Sequence, residues 1–170
     1  MASNRDNVDK NKISNQELYN NKMTIIDDNG KFMKISSIKD FKMLIFISID
    51  DCDNKCVSII KTTELVAIKG QQLPKITPIL ITTNSYHDSI NNIQTFKIKN
   101  KINIKSVIID NYSLMAIFHK LNNDNYSYKT LPMIYLVHPD NKHWLEIENS
   151  NNFNDATNNI YKNILELRRM

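Results

Sequence analysis

Several features are scarce or missing in this chain of 170 residues, and each absence narrows what it can be. No apolar stretch approaches the roughly 20 residues that a membrane-spanning helix needs, and the first residues do not read as a secretory signal. The net charge of +4 is spread along the chain among many asparagines, so the clustered basic stripe of a nucleic-acid-binding surface is absent. Nucleic acid is therefore not an expected partner. No internal repeat is visible. Cysteine occurs only twice, too few for the count alone to fix a redox compartment.

What remains is an ordinary soluble composition, 41% hydrophobic and 24% charged, with room for one domain and a real core. The surplus of Lys, Ile and Asn fits a base-composition bias in the coding sequence better than a partner. Residues 1–22 are polar and without periodicity and read as a flexible leader. Met1-Ala2-Ser3 and this leader fit a chain detached from an upstream membrane tether. Residues 23–170 are expected to form the folded domain.

Both cysteines fall in residues 43–57, MLIFISIDDCDNKCV, and the chain is organised around this stretch. Residues 43–49 form an apolar run rich in Ile and Phe without Pro or Gly, as in a strand buried on both faces. Residues 57–69 then read as a helix. Cys56, Ile59, Ile60, Thr63, Val66 and Ala67 share one face at helical spacing, and Gly70 is the stop signal.

A helix N-terminus has unpaired N–H groups and partial positive charge, which stabilise a thiolate placed there. Cys52 is accordingly the candidate nucleophile. Cys56, about one turn on, could resolve a mixed disulfide or share a soft metal ion. Asp50, Asp51 and Asp53 work against the thiolate, which favours a more reducing couple, and the same carboxylates would attract a cation. Two plainer readings stand beside these. Both cysteines could be ordinary buried thiols, and Asp53 or Asn54 could simply cap the helix while Asp50 and Asp51 face water.

Around this centre, residues 24–35 read as two short strands joined at Asn29-Gly30, a strong hairpin signal. Ser36 or Ser37 could cap a helical turn reaching Phe41. Residues 76–83 form a second buried strand, and Ile90, Ile93 and Phe96 suggest a helix. Residues 107–109 are a third strand, ended by Asp110-Asn111. Ser113 could cap a helix with Leu114, Ile117, Phe118 and Leu121 inward. Residues 132–137 are a fourth strand, turned by Pro139-Asp140-Asn141 into a return strand over 143–147. A last helix opens at Asp155 and buries Ala156, Ile160, Ile164 and Leu167.

The hairpin with its Asp-Asn-Gly-Lys turn, the strand leading into the cysteine pair, and the segment LPMIYLVHPDNK over 131–142 together resemble a thioredoxin-like domain. The resemblance is to the branch holding TlpA/ResA-type thiol-disulfide oxidoreductases and Sco/SenC-type copper-handling proteins, and it covers residues 24–167. It implies an α/β thioredoxin-like fold, with a central mixed β-sheet flanked by helices and an N-terminal β-hairpin. It also implies that Pro132 is the cis-proline lying against the dithiol, where the Leu131 backbone could pair with a substrate peptide. A protein dithiol or disulfide substrate follows from the same likeness; a monomer is expected, and an extracytoplasmic location, in the periplasm or at a membrane anchor, is favoured over the cytoplasm.

The chain departs from both branches. Its Cys-x-x-x-Cys spacing is that of Sco proteins and not the Cys-x-x-Cys of TlpA/ResA proteins, while Asp51 replaces the usual aromatic residue before the first cysteine. Residues 126–131 hold no counterpart of the Sco histidine ligand. Among the four histidines, His138 and His143 belong to the far end of the sheet, and His119 to a helix. His87 follows a strand parallel to the central one and is the candidate third ligand. Ile47-Ser48-Ile49-Asp50-Asp51 lacks the Thr and Pro that a peroxiredoxin-like peroxide pocket requires.

The expected function is thus a thiol-disulfide oxidoreductase, with Cys52 attacking, Cys56 resolving and Pro132 presenting the substrate, and no cofactor. The alternative is a Sco-like copper metallochaperone using Cys52, Cys56 and His87. A third reading is a redox-inert adaptor that keeps the fold for binding.

Overall fold

The computed structural model describes residues 25–70, 73–83, 89–121 and 131–169. The leader over 1–22 and His87 lie outside the described residues. Six strands, β1 (Ile25–Asp27), β2 (Phe41–Ile47), β3 (Ile76–Thr83), β4 (Lys105–Ile109), β5 (Met133–Val137) and β6 (Trp144–Ile147), form one sheet in the order β1-β4-β3-β2-β5-β6. The neighbours β2, β3 and β4 are parallel, whereas β1, β5 and β6 each pair antiparallel with their neighbour. Among the described residues four helices flank it: α1 (Asn54–Lys69), α2 (Ser89–Asn100), α3 (Asn111–Lys120) and α4 (Phe153–Arg169). The expected mixed α/β sheet is observed.

Alternation along the strands divides the core between two faces. Met43, Ile45 and Ile47 of β2 pack with Ile59, Ile60 and Val66 of α1, Ile93 and Phe96 of α2, and Ile160 and Ile164 of α4. Leu44 and Phe46 point the other way, to Leu114, Ile117 and Phe118 of α3 and to Tyr135 and Trp144. All seven residues of β2 are buried, because the strand is covered by helices on both sides and paired on both edges.

The central strand begins at Phe41 and ends at Ile47, two residues earlier than its apolar run suggests. Lys42 conceals that start: its side chain is fully buried, and its Nζ donates to the carbonyls of Ile38 and Asp40, each at 3.0 Å. At the other end the chain leaves the sheet through a 3-10 turn, Ile49–Asp51. The expected helical turn from Ser36 or Ser37 to Phe41 is instead a 3-10 turn, Ile35–Ser37, with no side-chain cap.

Three helix starts differ from expectation for one reason, that capping side chains precede the apolar stripe. Helix α1 starts at Asn54, three residues early, because Asp53 caps it. Asp110, and not Ser113, caps α3: its Oδ1 accepts from the Ser113 N–H at 2.8 Å and its Oδ2 from the Ser113 hydroxyl at 2.7 Å. Helix α4 opens at Phe153, and Asn152 Oδ1 accepts from the Asp155 N–H at 3.1 Å.

The N-terminal hairpin is present, but its return arm is a single bridge between Ile26 and Phe32. Gly30 takes φ +81°, and Asp27 Oδ1 accepts from the N–H groups of Asn29 and Lys31. Strand β1 joins the main sheet edge beside β4. Asp28 at the tip anchors the turn to α2 and β4. Its Oδ2 lies 2.9 Å from Lys97 Nζ and accepts from the Ser106 hydroxyl, while its carbonyl accepts from Gln94 Nε2.

Candidate functional site

Strand β2 delivers the chain through the 3-10 turn to Cys52, whose backbone N–H donates to the Ile49 carbonyl at 3.4 Å. Cys52 precedes the capping residue Asp53, and Cys56 lies in the first turn of α1. The two sulfurs are joined in a disulfide with Cα atoms 5.2 Å apart. Cys56 is buried at 5% exposure, whereas Cys52 is half-buried. Of the two, Cys56 is the one that lines the cleft described below.

The acidic cluster is organised by the backbone. Asp53 Oδ1 accepts from the Cys56 N–H at 2.9 Å, and the Val57 N–H donates to the Asp53 carbonyl at 2.9 Å. Asp51 Oδ2 accepts from the Ser48 hydroxyl at 2.9 Å. Asp53 thus caps the helix while Asp50 and Asp51 are exposed in the 3-10 turn. Among the described residues, no group of three or more His, Cys, Asp or Glu is placed to hold a metal ion.

The Leu131–Pro132 peptide bond is cis and sits at the entrance to β5. A cleft of about 450 Å³ separates this segment from the first turn of α1, with Asp53, Lys55, Cys56 and Ile59 on one wall and Leu131 and Pro132 on another. Residues 149–151, between β6 and α4, form its third wall. Asn149 Nδ2 donates to the Pro132 carbonyl at 2.6 Å. Cys56 and Pro132 thus meet across this cleft, with Cys52 disulfide-bonded to Cys56, whereas nothing in the local sequence marks the third wall; its signal is the β5–β6 register.

The histidines divide as their positions in the chain suggest. His138 and His143 lie at the β5–β6 turn, a strand's length from Pro132, where Asp140 joins them. His143 Nδ1 is 2.8 Å from Asp140 Oδ2, and the Asp140 N–H donates to His138 Nδ1 at 3.0 Å. Burial alone would raise the Asp140 carboxyl. The Lys142 N–H and the two imidazoles outweigh it and hold the group below its ordinary value. His119 is exposed on α3. None of these three lines the cleft beside the cysteines.

No protein-family model and no curated protein sequence matches the chain. Solved structures do. Arabidopsis thaliana ScoI with copper bound superposes with a TM-score of 0.63 at 14% identity, over 84% of this chain and 96% of that one. The thioredoxin domain of a Bacteroides vulgatus thiol-disulfide oxidoreductase gives 0.56 at 15% identity, over 82% and 91%. A secreted Mycobacterium tuberculosis disulfide oxidoreductase homologous to E. coli DsbE gives 0.54 at 12% identity, over 88% and 99%. The fold is thioredoxin-like, with Sco and thiol-disulfide oxidoreductase structures as its neighbours.

Proposed function

We propose that the protein is a thiol-disulfide oxidoreductase acting on protein dithiols and disulfides. One observation carries this reading: a disulfide at a helix N-terminus shares a cleft with the Leu131–Pro132 segment. In the reducing direction, the Cys52 thiolate attacks one sulfur of the substrate disulfide, forming a mixed disulfide and releasing the other sulfur as a thiolate. The Cys56 thiolate then attacks Cys52 Sγ, releasing the second substrate thiolate and closing Cys52–Cys56. Two electrons pass from the protein dithiol to the substrate, whose thiolates take up protons. The oxidising direction is the same sequence reversed.

Pro132 and Leu131 supply a length of backbone beside the dithiol where an extended substrate could dock as an added strand. The test is disulfide reduction in insulin with dithiothreitol as the electron source. Wild-type turnover, abolished by Cys52→Ser, supports the reading; an inactive wild type overturns it. The extracytoplasmic location and upstream tether belong to the same proposal, and fractionation of cells carrying the native reading frame tests them.

A second reading is favoured by the Cys-x-x-x-Cys spacing, which brings two sulfurs together beside exposed carboxylates. Once reduced, Cys52 and Cys56 are a soft donor pair suited to copper(I). As a copper metallochaperone the protein would hold the ion between these thiolates, with His87 as the proposed third ligand. Anaerobic titration with copper(I) against a competing chelator tests it: one-to-one binding lost in Cys52→Ser supports copper handling, and failure to compete excludes it.

A further inference from the structure

The β5–β6 ladder ends at the pair Ile134↔Ile147. Continued two residues further, the same antiparallel register sets Pro132 opposite Asn149. Pro132 has no N–H to contribute there. The backbone pairing stops, and a side chain takes over: Asn149 Nδ2 donates to the Pro132 carbonyl at 2.6 Å. Asn149 also lines the cleft, together with Ser150 and Asn151 and opposite Cys56.

From this geometry we infer that Asn149 is a positioning residue, which fixes the Leu131–Pro132 backbone in the cleft for pairing with an extended protein substrate. The inference rests on the oxidoreductase reading above. The hydrogen bond of Asn149 goes to the Pro132 carbonyl and not to a cysteine, so it acts through the backbone it holds. Its loss should therefore weaken substrates that use the backbone and spare those that do not. A small disulfide such as 2-hydroxyethyl disulfide reaches Cys52 without docking along Leu131, whereas insulin presents an extended chain.

The second distinguishing feature is the direction of the hydrogen bond. An aspartate at 149 is nearly isosteric but, when ionised, has no proton to give to the Pro132 carbonyl, and it regains one only on protonation. The pH dependence of that variant thus reports on the bond itself, not merely on the loop's packing.

The experiment compares wild type, Asn149→Ala and Asn149→Asp in reduction of insulin and of 2-hydroxyethyl disulfide, each from pH 4 to 8. Expected are a KM for insulin raised roughly five- to tenfold in Asn149→Ala, as loss of one hydrogen bond implies, and rates with the small disulfide within twofold of wild type. Asn149→Asp should match Asn149→Ala at pH 7 and recover toward the wild-type ratio as the pH falls below about 5. Unchanged insulin kinetics, an equal loss with both disulfides, or a pH-independent defect in Asn149→Asp overturns the inference and leaves the oxidoreductase reading standing. An inactive wild type overturns both.

Discussion

The carboxylate of Asp53 accepts the backbone N–H of Cys56 at 2.9 Å, so one acidic side chain both starts α1 and stands between the two cysteines in sequence. The cap stabilises the helix, whereas the charge opposes formation of a thiolate beside it. These two effects can be separated by substitution.

Asp53→Asn keeps a capping oxygen and removes the charge. The reduced dithiol should be stabilised, and the reduction potential should become less negative by about 10–20 mV, a change of well under 1.4 kcal/mol. Asp53→Ala removes the cap as well and should cost about 1 kcal/mol of stability. Equilibration with dithiothreitol gives the first quantity and urea unfolding the second; an unchanged potential in Asp53→Asn would show that the charge is fully screened.

Under the proposed function Cys52 attacks and Cys56 resolves. Cys56→Ser should leave Cys52 able to attack, so that a stable mixed disulfide with a target protein accumulates and is seen by mass spectrometry without reductant. Cys52→Ser should form none. Mixed disulfides through Cys56 in the Cys52→Ser protein would reverse the assignment.

The Asp28 anchor makes the hairpin sensitive to acid. Burial alone would raise this carboxyl, but the Lys97 ammonium and the Ser106 hydroxyl hold it below its ordinary value of 3.8. A carboxylate with a lowered folded pKa contributes stability above its unfolded pKa and loses it as the pH falls through the folded one. Asp28→Asn should therefore be less stable than wild type at pH 7, with the gap closing below about pH 4. A gap that persists undiminished at pH 2 would assign the effect to packing.

Lys42 has the opposite pH signature. Burial pushes its pKa from 10.5 down to about 8, against the attraction of Asp40 and Asp140 and with Lys39 adding to the lowering. Between those two values the unfolded chain binds more protons than the folded one, so stability should rise with pH across the window. The wild type should gain on Lys42→Met when urea midpoints are compared at pH 7.5 and 10. Parallel behaviour of the two proteins would rule out Lys42 as the source.

By itself the sequence determined the fold class, the central position of the strand before the cysteines, and the grouping of Cys52 with Cys56. These are local matters: an apolar run, a capping carboxylate and a helical stripe are all written within a few residues of one another. The Asn29-Gly30 turn was legible for the same reason, since Gly30 needs a left-handed conformation that few other residues tolerate. Lys42 was not legible, because its burial depends on carbonyls outside the strand that its side chain can reach. Only the tertiary structure decided that Asn149 meets Pro132, 17 residues away in the chain. That contact follows from the register of two antiparallel strands and from a proline that cannot continue their ladder, and neither is encoded in the neighbourhood of the asparagine.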